Sequence, residues 1–397
     1  MTGAADSSPR IMIVAGETSG DLHGAHLVQA LRELRPDLLI SGMGGPALAA
    51  QGVEILYDAA RMAVVGIWEV ISHLKDIRAA KRILEDFLRE KRPRLLILID
   101  YPDFNLLLAA KAKKLGIPVF YYISPQVWAW RSGRMRTIKR LVDKMAVILP
   151  FEEEFYRQRG MAVEFVGHPL VDELAQSLGT EFLGTDLKSV PIRAPLVGLL
   201  PGSRRREIAV MLPLFLAAAR RLKERHPQLS FIIPLAPGLD RQLLMEHGLV
   251  DCPELEISLV EPAERHRHMA ACAAVLAASG TVTLELALLG VPMVVSYRVA
   301  PLTYFLGRLL IKVRYASLVN LVARQEVVPE LLQDAATPEA ISQELDRLLT
   351  DPARRQTMLD GLALVRQRLG GPGASQRAAA KVLALLDRQL DAGMARP

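Results

Sequence analysis

The stretch LVGLLPGSRRREIAVMLPLFLAAARR, residues 196–221, joins a short apolar run, a turn and an amphipathic segment. The apolar LVGLL predicts a buried strand, PGS predicts a turn, and the remainder predicts a helix. A buried strand followed at once by a helix is the repeating unit of a parallel α/β sheet. Arg204, Arg205 and Arg206 stand together where the helix begins, so water or a bound anion must screen their mutual repulsion. The stretch therefore predicts an α/β fold with an anion-binding loop.

The same alternation of apolar runs and helical patterns continues along the chain. In the first half it predicts strands over residues 11–16, 38–45, 94–100, 117–124, 144–150 and 163–167, with helical segments such as 22–35, 104–115 and 133–142. In the second half it predicts strands over residues 195–202, 229–236, 255–260, 273–280 and 291–297, followed by helix alone after about residue 335. Residues 168–195, which include the polar DLKSVPIRAP, are the predicted linker.

This order of elements predicts two doubly wound α/β domains and a helical C-terminal tail. We expect the N-terminal domain over residues 1–180 and the C-terminal domain over residues 181–370. The last helix, within residues 371–397, is expected to pack back on the N-terminal domain.

The composition limits the classes of function. The chain has 397 residues, 51% of them hydrophobic, and a formal net charge of +6, which suits an acidic ligand or an anionic surface. Cys252 and Cys272 have neither zinc-ligand spacing nor a disulfide pattern, so we expect two reduced core thiols. The polar start MTGAADSSPR does not resemble a signal peptide, and the uncharged stretch 269–284 is too short to span a bilayer. We therefore expect a cytoplasmic protein.

Ligands of open α/β sheets bind beyond the carboxyl ends of the strands, so the loops that follow the strands are the candidate site. The loop AGETSGD, residues 15–21, begins a helix whose free N–H groups attract anions or hydroxyls. It does not match the dinucleotide fingerprint G-x-G-x-x-G, so it does not by itself predict a nucleotide site. The alternative is that Ser19 or Asp21 is an ordinary N-cap.

Two more loops of the first half carry candidate residues. DYPDFN, residues 100–105, holds two carboxylates, and one of them is a candidate general base. Asp103 is also well placed to cap the following helix, whereas Asp100 has no such structural explanation. SPQVWAWRSGRMR, residues 124–136, sets Trp128 and Trp130 among arginines, a mixture typical of sugar-phosphate or single-stranded nucleic-acid sites. The alternative for either tryptophan is a place in the core.

The second half offers two anion-facing loops. In the first, Arg204 lies nearest the turn and is the arginine expected to meet the anion, while Arg205 and Arg206 are expected to pair with Glu207 or with water. In the second, SGTVTLE, residues 279–285, a small-residue turn precedes a helix. Glu285 is expected to accept hydrogen bonds from ribose hydroxyls, with a buried structural carboxylate as the alternative. Together the two loops predict a nucleoside diphosphate site.

A series of motifs then identifies a known family. GETSGD resembles the GEASGD motif of the lipid-A-disaccharide synthases, and GMGGP, DYPDFN, SPQVWAWR, LPFE, VGHPLVD, LPGSR, SGTVTLE, PMVVSYR and SLVNL follow in that family's order over roughly residues 10–390. Each motif alone is modest, but the ordered set is highly specific. Thr18 and Tyr101 stand where the family commonly has alanine, and these departures bear on specificity more than on activity, since neither removes a charge.

The resemblance implies a GT-B glycosyltransferase, with two Rossmann-like domains and an active site in the cleft between them. It implies an inverting transfer from UDP-2,3-diacylglucosamine to 2,3-diacylglucosamine 1-phosphate (lipid X), giving a β-1,6-linked tetraacyl disaccharide 1-phosphate and UDP in lipid A synthesis of a Gram-negative bacterium. No cofactor is implied, and because the sequence has no D-x-D motif we expect no metal.

The resemblance also assigns residues to each side of the reaction. Asp100 is the implied general base. The implied acceptor side comprises Glu17, Ser19, Asp21, Trp128 and Arg131, and the implied donor side comprises Arg204, Ser279, Gly280, Thr281, Glu285 and Asn320. For Asn320 the alternative is a turn residue.

The substrates carry acyl chains, so a membrane contact is expected as well. Within VVGIWEVISHLK, residues 64–75, one helical face carries Val64, Ile67, Trp68, Ile71 and Leu74, and this segment corresponds to the family's membrane-facing segment. An ordinary core face is the alternative. We expect peripheral association with the cytoplasmic face of the inner membrane, and the resemblance is compatible with a homodimer.

Two rival functions remain at this point. Among enzymes, the rival is another UDP-N-acetylglucosamine-type GT-B activity, a murein transferase or a UDP-N-acetylglucosamine epimerase. Among binding proteins, the basic charge and the Trp-Arg stretch permit RNA binding, but no nucleic-acid-binding module is recognisable, so no nucleic-acid partner is expected.

Overall fold

A computed structural model describes residues 8–62, 74–129, 132–179, 196–299 and 313–394. The chain divides into two compact units, Met1–Pro169 with Gly371–Pro397, and Leu170–Gly370. Among the described residues, no helix is long and apolar enough to cross a membrane.

The first unit is built on a seven-stranded parallel sheet. Its strands are β1 (Arg10–Ala15), β2 (Leu39–Gly44), β3 (Glu54–Asp58), β4 (Leu95–Ile99), β5 (Val119–Tyr122), β6 (Lys144–Val147) and β7 (Glu164–Phe165). Their order in the sheet is β3-β2-β1-β4-β5-β6-β7, so the chain reverses direction across the sheet between the neighbouring strands β1 and β4.

Helices cover both faces of this sheet. They are α1 (Thr18–Leu34), α2 (Pro46–Ala50), α3 (Leu74–Lys91), α4 (Pro102–Lys114), α5 (Met135–Leu141), α6 (Pro150–Arg157) and the C-terminal α15 (Ala374–Met394). Met12 and Val14 pack in a core that includes residues of α3, α4 and α5. Ile11 and Ile13 pack in a second core that includes residues of α1 and α15. Because both faces of β1 are buried, its sequence is continuously apolar rather than alternating.

The last helix belongs to the first unit and is anchored where it begins. The Arg377 guanidinium donates from Nε to the carbonyl of Val166 at 2.8 Å and from its terminal nitrogens to the carbonyls of Pro372 and Gly371 at 2.8 and 2.9 Å. Near the other end, Arg35 of α1 pairs with Asp387 at 3.1 Å. These contacts hold α15 against α1.

The second unit has a six-stranded parallel sheet. Its strands are β8 (Leu196–Leu200), β9 (Ser230–Pro234), β10 (Ile257–Val260), β11 (Ala274–Ala278), β12 (Met293–Tyr297) and β13 (Glu330–Leu332), in the order β10-β9-β8-β11-β12-β13. Its helices are α7 (Pro169–Leu178), which begins at the unit boundary, α8 (Arg205–Arg225), α9 (Arg241–Glu246), α10 (Arg265–Ala270), α11 (Val282–Leu289), α12 (Leu318–Ala323), α13 (Pro338–Thr350) and α14 (Pro352–Leu369). Here β8 and β11 are the neighbours at the reversal.

The predicted fold class is confirmed, with two Rossmann-like sheets and a helical C-terminal region. Three elements were not predicted. The edge strands β3 and β13 are short and carry charged residues, so they lack the apolar run of a central strand. Helix α7 lies inside the predicted linker. Its proline, Pro169, does not prevent a helix, because it occupies the first helical position, where no N–H hydrogen bond is lost. The remainder of that linker, residues 180–195, lies outside the described residues.

Candidate functional site

In the first unit, two candidate loops follow neighbouring strands. Ala15 of β1 is in register with Ile99 of β4, so Glu17 and Asp100 leave the same edge of the sheet side by side. The two carboxylates are close enough that the charge of Glu17 raises the pKa of Asp100. This edge is the reversal point at which open α/β sheets bind ligands.

Asp100 is the most perturbed carboxyl group of this edge. Burial raises its pKa to about 6, the negative charge of Glu17 acts in the same direction, and a hydrogen bond from the Tyr101 backbone acts against them. A carboxyl group with a pKa near 6 is a better proton acceptor than an ordinary aspartate. Its backbone is left-handed, with φ of 43°, and so is that of Tyr101, with φ of 44°.

In the first loop, some of the polar side chains are exposed to solvent and one is buried. Glu17 is the N-cap position of α1 and is exposed, as is Ser19, and Glu17 makes no side-chain cap. Asp21 is buried, and its carboxylate accepts N–H bonds from Gly45 at 2.7 Å, Ala47 at 2.9 Å and Leu48 at 3.2 Å. The Asp21 carboxylate therefore caps the neighbouring helix α2, and its contact with the acceptor stays a prediction.

Trp128 lies in the core, which was the alternative weighed for it. Its side chain is 9% exposed, its indole N–H donates to Glu152 at 3.1 Å, and its ring meets Phe151 edge-on with centroids 4.9 Å apart. Glu152 in turn accepts the Leu149 N–H at 2.9 Å, and burial raises the pKa of Glu152 to about 8. Trp130 and Arg131, from the same motif, lie outside the described residues.

Two further predictions for this unit concern Asp103 and the segment of residues 64–74. Asp103 is exposed and forms an ion pair with Arg134, and the N-cap position of α4 is Tyr101 rather than Asp103. Of the residues predicted to face the membrane, Val64, Ile67, Trp68 and Ile71 lie outside the described residues, and for Leu74 only the backbone, at the start of α3, is described.

In the second unit, the two anion-facing loops also follow neighbouring strands. Leu200 of β8 is in register with Ala277 of β11, so the turn before α8 and the turn before α11 leave the same sheet edge. The expected convergence of Arg204 with the loop of residues 279–281 is therefore consistent with the topology.

The Glu207 carboxylate accepts several hydrogen bonds in the turn that carries Arg204. One oxygen accepts N–H bonds from Ser203 at 3.2 Å and Arg204 at 3.3 Å, and its other oxygen receives the Arg204 guanidinium at 3.0 Å and the Tyr297 hydroxyl at 3.2 Å. Glu207 was expected to pair with Arg205 or Arg206, but it pairs with Arg204, because Arg204 is the N-cap and lies three residues before it. The Arg204 side chain is still 68% exposed, and one N–H of its five is used on Glu207.

The loop of residues 279–281 is open. The Ser279 hydroxyl donates to the carbonyl of Ala316 at 2.9 Å, and Thr281 is exposed at the N-cap position of α11 without a side-chain cap. A Cβ placed on Gly280 would meet no atom within 4 Å. The backbone of this loop is therefore accessible to a ligand.

Glu285 is buried and contacts Arg265 and His266. Its Oε2 lies 3.0 Å from the Arg265 guanidinium and 3.1 Å from Nε2 of His266, and Nδ1 of His266 lies 3.2 Å from the Ser177 hydroxyl. The pKa of the nearby Glu173 is raised to about 7, first by burial and then by the charge of Glu285. Arg265 and His266 were missed in the sequence, although the basic run ERHRH, residues 264–268, marks them.

Asn320 uses all its hydrogen-bonding groups inside the protein. Its amide nitrogen donates to the Val328 carbonyl at 2.9 Å and to Glu330 at 2.8 Å, and its amide oxygen accepts from Val327 at 2.7 Å and Val328 at 3.0 Å. The side chain is fully buried. Asn320 therefore lies within helix α12 rather than in a turn, and its side chain joins that helix to residues 327–330, while a donor contact stays a prediction.

Two histidines of the first unit, the half-buried His23 and the buried His168, lead to a prediction on acid stability. Burial lowers the pKa of His23 to about 4 and that of His168 to about 3. The unfolded chain therefore takes up protons below about pH 6.5 that the folded chain does not, so the free energy of unfolding is expected to fall by up to about 1.4 kcal/mol per pH unit and per histidine as the pH drops from 6.5 toward 4. Urea unfolding at several pH values measures this slope, and His168→Gln should reduce it. An unchanged slope in the variant would contradict the assignment.

The chain is similar to known proteins over nearly its whole length. The sequence model of the lipid-A-disaccharide synthetase family matches residues 11–383. The lipid-A-disaccharide synthase of Geobacter sulfurreducens is 48% identical over 385 residues, which cover 97% of this chain and 99% of the relative. That of Myxococcus xanthus is 49% identical over 378 residues, which cover 95% of this chain and 98% of the relative.

Solved structures share the fold at much lower identity. The UDP-GlcNAc 2-epimerase from Neisseria meningitidis, solved bound to UDP-GlcNAc, aligns with a TM-score of 0.62 and 14% identity over 96% of this chain and 100% of the epimerase. A calicheamicin glycosyltransferase aligns with a TM-score of 0.59 and 17% identity over 96% and 99% of the two chains. These likenesses show the fold alone. The family match and the relatives go further, and by them the chain belongs to the lipid-A-disaccharide synthase family.

Proposed function

We propose that this protein is an inverting glycosyltransferase that joins UDP-2,3-diacylglucosamine to 2,3-diacylglucosamine 1-phosphate, releasing UDP and the β-1,6-linked tetraacyl disaccharide 1-phosphate. The observation that carries the proposal is the family match over residues 11–383. The epimerase alternative is not favoured, because solved structures named as epimerases match at 14–16% identity whereas relatives named as synthases match at 44–49%.

In the proposed reaction, Asp100 acts as the general base. The acceptor's 6-hydroxyl oxygen attacks the anomeric carbon, its proton passes to the Asp100 carboxylate, and the bond to the diphosphate breaks with its electron pair leaving on UDP. The place of Asp100 at the β1/β4 reversal and its pKa of about 6 support this role. Glu17 and Ser19, exposed on the neighbouring loop, and Arg131 are proposed to contact the acceptor.

On the donor side, three features are proposed to bind UDP. The Arg204 guanidinium meets the diphosphate, the loop of residues 279–281 offers backbone N–H groups to it, and Glu285 accepts the ribose hydroxyls. The exposure of Arg204 and the open space over Gly280 support the first two roles. As the bond to UDP breaks, negative charge builds up on the leaving diphosphate, so these contacts strengthen in the transition state.

Arg204→Ala is expected to weaken binding of UDP and of the donor. A charge-assisted hydrogen bond to a diphosphate is lost, which corresponds to about 1.5–3 kcal/mol. Calorimetric titration with UDP measures the loss. Arg205→Ala, which removes an adjacent exposed arginine without the Glu207 contact, is the matched control. Equal affinities of the Arg204→Ala variant and the parent would rule out the contact.

We further propose peripheral association with the cytoplasmic face of the inner membrane, because acyl chains of this kind reside in a bilayer and residues 64–74 carry apolar side chains at helical spacing. Trp68→Ser combined with Ile71→Ser is expected to release the protein from phospholipid vesicles without lowering its melting temperature. Co-sedimentation with vesicles and thermal unfolding test this. Loss of the melting transition would instead place these side chains in the core.

A homodimer stays a prediction, and sedimentation velocity would measure the oligomeric state.

The proposed reaction is tested by mass spectrometry of the product from the two diacylated substrates. A tetraacyl disaccharide 1-phosphate together with stoichiometric UDP supports it. An altered monosaccharide, or UDP released without a disaccharide, would overturn it.

A further inference from the structure

The turn that carries Asp100 has an unusual backbone. Asp100 and Tyr101 are consecutive non-glycine residues in the left-handed region, with φ of 43° and 44°. Each such residue is strained because its Cβ crowds the backbone, and a bulky tyrosine is rarely found there. Strain of this kind persists only where surrounding contacts determine the conformation.

Two buried side chains from different elements supply those contacts. Asn105, in the first turn of α4, reaches back and donates from its amide nitrogen to the carbonyls of Ile99 at 3.1 Å and Asp100 at 2.8 Å. Tyr121, from the neighbouring strand β5, donates its hydroxyl to the same Asp100 carbonyl. Both side chains are fully buried, so their hydrogen bonds are not in competition with water.

The conformation of the turn also determines which groups surround the Asp100 carboxyl group. The Tyr101 ring lies against Gly16, where an added Cβ would come within 2.3–2.8 Å of ring atoms, so the ring occupies the space beside the loop that carries Glu17. The titratable and charged groups around Asp100 are Glu17 from the α1 loop, Tyr101 and Asp103 from the start of α4, Tyr121 from β5, and Arg134, which pairs with Asp103.

We propose that Asn105 and Tyr121 form a clamp on the Asp100 carbonyl and act as positioning residues, holding the left-handed turn that directs the Asp100 carboxyl group to the reacting hydroxyl. This inference rests on the proposed function of Asp100 as the base. Neither residue needs to touch substrate. Without the clamp, the turn relaxes toward ordinary backbone angles, and the carboxyl group moves away from its partly buried position beside Glu17.

Tyr121→Phe and Asn105→Ala test the clamp. Each is expected to lower kcat by roughly 10- to 100-fold, because misplacing a reacting group by about 1 Å has effects of that size. The KM for the UDP-sugar should stay unchanged, and the acid limb of the pH–rate profile should move below pH 6 toward the range of an ordinary aspartate, since burial of Asp100 is what raises its pKa. Tyr156→Phe is the matched control, because it removes another buried hydroxyl, which is bonded to Ser124 at 2.6 Å rather than to the Asp100 carbonyl.

The outcomes separate the clamp from the proposed base. If Asp100→Asn abolishes turnover while the two clamp variants keep the kcat and the acid limb of the parent, the clamp alone is overturned. The clamp is also overturned if Tyr156→Phe shifts the acid limb as much as Tyr121→Phe does, because the effect is then a general loss of rigidity. If Asp100→Asn keeps normal turnover, the base is wrong, and NMR titration of the Asp100 carboxyl group then decides on the clamp. A lower Asp100 pKa in Tyr121→Phe supports the clamp, and an unchanged pKa overturns it.

Discussion

Replacing Asp100 with asparagine is expected to lower turnover by roughly 10²–10⁴-fold while the affinity for UDP stays unchanged. The acceptor's 6-hydroxyl is a poor nucleophile until a base takes its proton, and asparagine keeps the shape of the side chain but cannot accept a proton. In the parent enzyme, kcat/KM should fall as the pH drops below about 6, because the base then becomes protonated. Initial rates across pH 5–8 for the parent and the variant measure both effects.

The neighbouring Asp103 provides the control. It belongs to the same motif but is exposed and paired with Arg134, so Asp103→Asn should keep most of the turnover and the acid limb. An Asp100→Asn variant that retained more than about a tenth of normal turnover would contradict the assignment, since loss of a general base is expected to reduce the rate by at least about 10²-fold. Glu17, the exposed carboxylate on the adjacent loop, would then be the next candidate.

The fold class, which was predicted correctly from the sequence, depends on local patterns, because apolar runs followed by helical patterns predict parallel α/β units. The rule that ligands bind beyond strand ends makes the loops of Asp100 and Arg204 candidates, and their part in the site stays a prediction. That Glu17 and Asp100 lie side by side follows only from the strand order, because β1 and β4 are neighbours although about 80 residues separate them.

The features that could not be predicted depend on partners far apart in the sequence. The Asp21 carboxylate caps a helix 24–27 residues away, and Trp128 meets Glu152 after 24 residues. The local sequence does not show whether such a side chain contacts a distant part of the protein, solvent or a ligand. The Asn320 side chain likewise resembled a ligand contact by motif, but its amide group is fully used on the segment of residues 327–330.

The left-handed turn at Asp100 could not be predicted from the sequence for a different reason. Aspartate adopts the left-handed conformation only occasionally and the bulky tyrosine rarely, so local propensity does not predict two such residues in succession. The conformation becomes understandable only when Asn105 and Tyr121 are seen to bind the Asp100 carbonyl. Conflict between local preference and observed backbone is expected at functional sites.

Glu285→Gln is expected to lower both the affinity for UDP and the stability of the protein. Glutamine removes the charge-assisted hydrogen bonds to the ribose hydroxyls, so UDP affinity should fall by about 1.5–3 kcal/mol, a factor of roughly 10–150. The variant also leaves Arg265, which lies 3.0 Å from the carboxylate, without its counter-charge, so the free energy of unfolding should fall as well, by up to about 3–5 kcal/mol for a buried pair. Calorimetric titration with UDP and thermal unfolding measure the two effects separately.

A second carboxylate of the same unit separates these two effects. Glu344 pairs with Arg347 at 2.7 Å and with Arg354, but lies on α13 rather than on the loops after β8 and β11. Glu344→Gln should therefore lower stability without changing UDP affinity. If Glu285→Gln behaves in the same way, or if it weakens UDP and the diacylated acceptor equally, Glu285 is a structural carboxylate, because only a ribose contact makes the loss specific to the donor.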